Sequence, residues 1–338
     1  MPEVLIVGAG VAGASAAQSL GDAGWKVTVV DKAARPGGRC ATRRIAVDAS
    51  SPWFDYGAQY FTARNKAFRE RIEPDLRSGV LTRWQPTLCR AQRRTGRWRL
   101  EASPDERERL IGPHGLNLWV RHLFEQADID VRCRHAVVDL QADGDGWRAH
   151  FAQGIRPLRA DAVIVTAPAV QAAALLGQHA GNVAALAHAR DALSPCHSLV
   201  VAAPVLPNCD AIFVKDGQLS WGADNRHKHG VAAHASPRLW TLHAGPEFSR
   251  DRLEDTPESV AADLMQEFAA ITGLAARDMK LVRTQRWHHA RPGPGAPPSR
   301  KGFARVPGTS LLLAGDWLAG GRVEGAWLSG QAAANALL

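Results

Sequence analysis

Val4-Leu5-Ile6-Val7-Gly8-Ala9-Gly10-Val11-Ala12-Gly13-Ala14-Ser15-Ala16-Ala17 is the stretch whose reading decides the fold. Val4–Val7 is a short apolar run of the kind that forms a buried strand. The alanine-rich segment after it reads as a helix running to about Leu20 and ended by Gly21 and Gly24. Lys26–Val30 is a second β-branched run and closes on Asp31, so the chain opens as a βαβ unit. Within the Gly8-x-Gly10-x-x-Gly13 spacing, the first glycine makes the tight turn and the second admits a pyrophosphate to the backbone. The third, with Ala17, lets the helix pack close to the strand. The helix start offers free N–H groups and a positive dipole end to phosphate. Asp31 stands 23 residues after Gly8, where a carboxylate can accept from an adenosine ribose. Taken alone, the glycines would be a common turn. In this order they predict dinucleotide binding.

Three further segments specify which dinucleotide. Arg35-Pro36-Gly37-Gly38-Arg39 follows the acid; Gly38 and Arg39 suit a second contact to the pyrophosphate of FAD, although the same residues could form a solvated turn. Near the far end, the strand-like Leu311–Ala314 runs into Gly315-Asp316-Trp317 and then Gly320-Gly321-Arg322-Val323-Glu324-Gly325-Ala326-Trp327. Asp316 can accept from a ribityl hydroxyl. Backbone amides at Val323–Ala326, opening a helix there, would stabilise negative charge on a reduced flavin. A domain built for NAD alone has no need of this late segment. The third segment, Asp55-Tyr56-Gly57-Ala58-Gln59-Tyr60-Phe61-Thr62, holds both tyrosines of the chain and could equally be a core strand.

The rest of the chain sets limits. Its 338 residues, 46% hydrophobic and 22% charged, describe a globular protein of about two domains. Apolar runs and turn signals place a helix over Gly115–Gln126 and strands near Ile129–Cys133, Ala136–Leu140, Trp147–Phe151 and Ala162–Thr166. A second set of strands follows at Leu199–Ala203, Ala211–Lys215, Leu219–Trp221 and Leu239–His243. Thr256-Pro257 opens a helix with Val260, Leu264, Phe268 and Ile271 on one face, and a Pro/Gly-rich loop spans Arg291–Pro298. The net charge is +8 and arginines are dense between Arg83 and Arg109, but acids interleave there as on a solvated face, and no nucleic-acid motif accompanies it. Five cysteines without a CxxC pair read as reduced thiols in a cytoplasm. No signal peptide or membrane-spanning run stands out: Pro168 and Gln171 break the most apolar stretch.

Gly57-Ala58-Gln59-Tyr60-Phe61-Thr62-Ala63-Arg64, Trp287 with Ala290-Arg291-Pro292, and Gly315-Asp316-Trp317 leading to Gly321–Gln331 together give the chain a family resemblance. It resembles the bacterial renalase-like flavoproteins, within the superfamily of amine-oxidase and p-hydroxybenzoate-hydroxylase-type FAD proteins. The resemblance implies an α/β fold: a discontinuous Rossmann-type FAD-binding domain (residues 1–65, 102–169 and 287–338) with an inserted α+β substrate domain (residues 66–101 and 170–286) built on an antiparallel sheet. It implies noncovalent FAD on Gly8, Gly10, Ala12, Gly13, Asp31, Lys32, Gly38, Arg39, Gly57, Ala58, Gln59, Val137, Thr166, Gly315, Asp316, Arg322, Val323, Glu324 and Ala326. It also implies the reaction: hydride from the 2- or 6-dihydro isomers of NAD(P)H passes to the flavin, and O2 reoxidises it to give hydrogen peroxide. The protein's work is then placement of the donor carbon and tuning of charge. By position, Gln59, Tyr60, Asn225, Arg226, His243 and Trp287 are the pocket candidates, with Arg226 able to meet a substrate phosphate. His288-His289, where an aromatic is expected, and Pro36 before the glycine pair depart from the family pattern.

Other readings stay open. Tyr60 and Trp287 could be members of an aromatic cage holding a neutral amine, as in flavin amine oxidases. The protein could bind FAD without turnover. His227-x-His229 and His288-His289 invite a metal, but no carboxylate or thiol stands at ligand spacing, and no metal is expected. No G-x-S-x-G elbow supports a serine hydrolase.

Overall fold

The computed structural model describes residues 1–44, 53–127, 129–189, 191–228, 237–295 and 301–338. The predicted opening unit is present as the strand Glu3–Val7, the helix Val11–Asp22 and the strand Lys26–Asp31. These strands lie inside a six-stranded sheet in the order Ala304–Arg305, Leu311–Leu313, Ala162–Val165, Glu3–Val7, Lys26–Asp31, Asp130–Cys133. All its neighbours are parallel except the Ala304–Arg305 edge. The first and a late strand are thus two places apart in one sheet, which brings the two ends of the chain together.

Strand alternation explains how both faces of this sheet are covered. Val4, Ile6, Val27, Val29, Ile164 and Leu312 pack under the helices Val11–Asp22, Leu116–Glu125 and Arg322–Asn335, alongside Phe68 and Ile72 of the helix Lys66–Arg77. Leu5, Val7, Val30, Val163, Val165, Leu311 and Leu313 pack on the other side against Trp147, Ala149 and Phe151. Those three lie in a small antiparallel sheet of Val137–Asp143, Gly146–Phe151 and Leu158–Ala160. The first and last helices touch so closely that a Cβ on Gly330 would stand 2.1 Å from the Ala12 carbonyl oxygen. Ser15 Oγ donates to the Trp327 carbonyl at 2.7 Å across the same contact.

The second sheet has seven strands, in the order Lys280–Pro292, Leu193–Ala203, Arg238–Ala244, Leu219–Asp224, Ala211–Val214, Leu88–Arg94, Arg97–Ala102. It is antiparallel apart from the parallel pairing of Ala211–Val214 with Leu88–Arg94. One face packs Leu199, Val201, Ile212, Trp240 and Leu242 on Val260, Leu264 and Phe268 of the helix Pro257–Thr272. That helix starts as its sequence requires, with Thr256 Oγ1 accepting from Ser259 N and proline in its first turn. No helix among the described residues is long and apolar enough to cross a membrane.

Several elements differ from expectation. The arginine-dense stretch forms the hairpin Leu88–Arg94 and Arg97–Ala102, turning at Thr95 and Gly96, both at positive φ (48° and 78°). Its charges suit a sheet edge, where they block further pairing. The segment 55–62 is not a strand: regular structure stops at Asp55, and the chain turns away with an isolated bridge from Phe61 to Leu110. The strand Lys280–Pro292 runs through most of what was read as a motif and a loop start. The end of that loop, and His229, lie outside the described residues.

Glu267 is a specific brace between this sheet and its helix. It is 7% exposed. Its carboxylate accepts from the Gln218 and Leu219 amides at 3.1 and 2.6 Å. Glu267→Leu strands these amide donors. Urea unfolding of the variant is expected to show a loss of about 1–3 kcal/mol, the cost of unsatisfied buried donors; an unchanged midpoint would contradict this role.

Candidate functional site

The glycine-rich turn is held from three sides. Gly8 has φ +119° and a Cβ there would meet Thr166 Oγ1 at 2.3 Å; a Cβ on Gly13 would meet the Gly8 carbonyl oxygen at 2.0 Å. Thr166 Oγ1 donates to the Val7 and Gly8 carbonyls, each at 3.1 Å. Asp31 accepts from Ala9 N and Ala33 N, each at 2.7 Å. It therefore fixes the turn with one oxygen and the following loop with the other, and keeps lone pairs for a further donor. Gly10 differs from its neighbours: a Cβ there would reach no atom closer than Gly38 Cα at 4.0 Å. No side chain caps the helix start at Gly10 and no acid stands in its first turn. This uncapped end facing the Gly37-Gly38 turn is a cradle that fits a pyrophosphate.

The late segment supplies a second uncapped helix start. Gly321 precedes the helix Arg322–Asn335 with no side-chain cap, and Arg322 itself has φ +69°. Its neighbour Asp316 is 5% exposed and forms a two-armed ion pair with Arg39. Arg39 also donates to the Ala290 carbonyl at 3.1 Å. The first loop, the last strand-to-helix turn and the end of the Lys280–Pro292 strand are joined in this way. Gly57 is required where it sits, because a Cβ there would stand 2.0 Å from the Arg39 carbonyl oxygen. Glu324 points away from the uncapped start, accepting from Arg64 N and, at 2.9 Å, from Asn65 N. Lys32 is exposed and reaches Gln171 at 3.3 Å, while Val137 begins the small antiparallel sheet.

Between the two sheets lies a buried polar node. Asp55 and Lys228 are each without exposed side-chain surface, 3.4 Å apart. Lys228 Nζ also donates to Gln59 Oε1 at 2.8 Å and Asn225 Oδ1 at 3.1 Å. Asp55 Oδ1 accepts from Thr42 Oγ1 at 2.6 Å. The Asp55 amide and carbonyl bond Asn225 Oδ1 and Thr241 Oγ1 at 3.0 and 2.7 Å. Burial pushes the Asp55 carboxyl up and the Lys228 ammonium down, and each is pulled back by the other.

The node places residues 55–60 over the open face of the seven-stranded sheet. Cross-strand register sets Gln285, Ser198, His243, Trp221, Phe213 and Arg90 side by side on that face. Ser198 Oγ and Trp287 Nε1 donate to the Tyr56 carbonyl at 2.9 and 3.1 Å. Tyr56 stacks on Trp287 with centroids 5.5 Å apart. Tyr60 instead packs on Trp221 and Trp84, at 5.3 and 6.1 Å. His243 is pushed down to about 4 by burial and by the Lys228 and Arg291 charges, so it is neutral at pH 7. Its Nε2 and the Trp221 Nε1 are buried without a partner among the described residues.

The expected pocket residues therefore divide. Gln59 and Asn225 belong to the buried node. His243, Tyr60 and Trp287 border the sheet face. Arg226 turns aside and donates to the Pro237 carbonyl at 2.6 Å. His227 lies in the short helix Asn225–Lys228 rather than a polar loop, and its Nδ1 accepts from Trp84 Nε1 at 2.9 Å. Asp55 and Lys228 were missed as partners. The signal was an acid directly before Tyr56-Gly57 and a lysine between two histidines, too common a pattern to read without the fold.

Two substitutions separate these roles. Gly10→Val has room in the fold but fills the cradle, so it is expected to purify folded and without its yellow flavin absorbance; full FAD content would contradict the placement. Lys228→Met leaves a buried carboxylate unpaired and is expected to cost roughly 3–5 kcal/mol in urea unfolding. Adding Asp55→Asn is expected to restore a large part of that, and equal loss in the single and double variants would show that the pair itself does not matter.

Comparison with known proteins agrees with this geometry. Residues 6–72 match the NAD(P)-binding Rossmann-like domain, and residues 71–338 match flavin containing amine oxidoreductase. An L-amino-acid oxidase of Siganus canaliculatus is 45% identical over 67 residues, which are 20% of this chain and 12% of that protein. The chain thus matches only about an eighth of the curated relative's length. Similar solved structures include an Exiguobacterium protein assigned to protoporphyrinogen oxidase, with TM-score 0.77 and 13% identity over 99% of this chain and 98% of that one. Cyclohexylamine oxidase from Brevibacterium oxydans has TM-score 0.72 and 15% identity, and putrescine oxidase has 0.70 and 14%, each over 99% of this chain and 98% of the other. At such identities the likeness speaks for the fold, and the family match speaks for the cofactor, FAD: the chain belongs to the flavin-containing amine oxidoreductase family.

Proposed function

We propose that this oxidoreductase removes hydride from the 2- or 6-dihydro isomers of NAD(P)H. The observation that carries the reading is the charge of the sheet face. Arg283 lies over the Tyr56 ring at 5.3 Å and Arg109 over the Tyr60 ring at 5.3 Å. Arg291 and Lys228 both bear on His243. Lys228 and Asp55 offset each other in the buried node, so the excess positive charge of the face is carried by arginines such as Arg283 and Arg291. Such a face attracts an anionic dinucleotide and repels an ammonium. Tyr60 and Trp287 also belong to separate ring clusters, so they do not make one amine cage.

FAD, when bound, supplies the hydride acceptor and hands the electrons on to O2, giving hydrogen peroxide. The residues that would hold it are Gly8–Gly13 and Asp31 at the adenosine end, Gly38 and Arg39 in the middle, and Asp316 with the Arg322–Ala326 helix start at the flavin end. The proposed division of the chain keeps residues 1–65, 102–169 and 287–338 with the cofactor and residues 66–101 and 170–286 with the substrate. The sheet face then has one task, to hold the donor carbon in place. Neutral His243 adds no charge to the face. Oxidation of such a dihydropyridine gives the pyridinium directly, so no general base is needed.

A second reading has its own support. The family includes amine oxidases, and solved structures of the same fold are named for cyclohexylamine and putrescine. Anaerobic mixing separates the two. With 6-dihydroNAD, ordinary 4-dihydro NADH and benzylamine as donors, the flavin absorbance near its visible maximum is followed in time. Bleaching by the 6-dihydro isomer at least about tenfold faster than by the others, a difference of roughly 1.4 kcal/mol in barrier, is expected. Faster bleaching by the amine would replace this proposal with the second reading.

A further inference from the structure

The row of residues on the sheet face continues past His243 and Trp221 to Phe213 and Arg90. Arg90 is half-buried on the strand Leu88–Arg94. Its Nε is buried and has no hydrogen-bond partner among the described residues. No described acid pairs with it: Glu101, opposite it on the next strand, goes to Arg94 at 3.7 Å. Arg109 lies over the Phe213 ring, 5.9 Å from its centroid, and 5.3 Å from that of Tyr60. It is 4% exposed. One arm is spent on Asp105 at 2.9 Å and another on the Arg107 carbonyl at 2.7 Å, while its Nε is buried and unpartnered. Arg107 shares the same Asp105 carboxylate at 2.9 Å. Arg90 is thus the cross-strand neighbour of Phe213 and Arg109 lies over its ring, each with an unspent buried N–H, while Glu101 is turned to Arg94 and Asp105 is divided between Arg107 and Arg109.

We propose that Arg90 and Arg109 form an anion subsite that takes the phosphate or pyrophosphate of a nucleotide substrate. The inference rests on the reading of a dihydronicotinamide nucleotide as the donor, and gives that reading its second contact. Three strand-to-strand steps separate His243 from Arg90, about 14–15 Å across the sheet. A nicotinamide ring held near His243 would extend its sugar-phosphate arm across the sheet, past Phe213, toward the arginines. The fork geometry of guanidinium suits phosphate oxygens, and partial burial weakens screening by salt. Desolvated N–H groups that lack a protein partner are costly in the free enzyme, and an anionic ligand removes that cost.

The test uses FAD-loaded protein and two donors, 6-dihydroNAD and the phosphate-free 1-methyl-1,6-dihydronicotinamide. In Arg90→Gln the apparent dissociation constant for 6-dihydroNAD in anaerobic flavin reduction is expected to rise at least about tenfold, lowering the preference for the nucleotide over the phosphate-free donor by the same factor, with partial recovery in Arg90→Lys. An unchanged preference overturns the subsite. Calorimetric titration with inorganic pyrophosphate is the control that does not need turnover. Salt-sensitive binding to the wild-type holoenzyme that is lost in Arg90→Gln supports the subsite even if neither dihydropyridine reduces the flavin, in which case the substrate reading alone fails. No pyrophosphate binding to the wild type overturns the subsite.

Discussion

Asp55 and Lys228 carry opposite charges with no exposed side-chain surface, and the arrangement of the site depends on that constraint. Neither charge can stay in a protein interior without the other and without full hydrogen bonding. The demand is met from both halves of the molecule. Thr42 and the Leu116 amide serve Asp55 from the side of the first sheet. Asn225 and Thr241 serve the node from the second sheet, with Thr241 bonding the Asp55 carbonyl. Satisfying the pair therefore fixes how residues 55–60 cross from one sheet to the other. That crossing sets the Tyr56 carbonyl over Ser198 and Trp287, and places the Tyr60 ring among Trp84 and Trp221.

A second clasp works at the cofactor end. Arg39 and Asp316 are 277 positions apart in the chain, yet their ion pair brings the loop after the second strand against the turn before the last helix. The close contact of the first and last helices through Ala12 and Gly330 does the same on the outer side. The closed ring of contacts leaves two uncapped helix starts, at Gly10 and at Gly321. Each keeps unsatisfied amide donors, which a fold tolerates where an anionic or electron-rich group is to be bound. The tight glycines hold the backbone in place, while Gly10 keeps space open between two loops.

Much of this was legible in the sequence because it depends on local rules. The glycine spacing, the apolar run Val4–Val7 and the Thr256-Pro257 helix start each reflect contacts within a few residues. The remainder depends on pairing across long separations. Lys280–Pro292 reads as polar because it is an edge strand, half-exposed along its length, and nothing in Arg283, Arg286 or His288 signals a sheet. The Arg83–Arg109 stretch reads as a solvated face, which holds for Arg93, Arg94 and Arg97 but not for the buried Arg109 or the half-buried Arg90, and it hid a hairpin. Lys228 resembled any surface lysine until the short helix Asn225–Lys228 turned it inward. Asp31 was read as a ribose acceptor; in the fold it also holds the glycine turn through Ala9 and the next loop through Ala33.

The most direct measurement of the account is a crystal structure of the oxidised holoenzyme. Electron density for FAD should place its pyrophosphate against the amides at Gly10–Gly13, its ribityl chain beside Asp316, and one edge of the flavin ring at the Val323–Ala326 amides, with the other face of the ring open to the Ser198, His243 and Trp287 side of the second sheet. A flavin ring lying away from that sheet face, or a pyrophosphate away from Gly10, would contradict it.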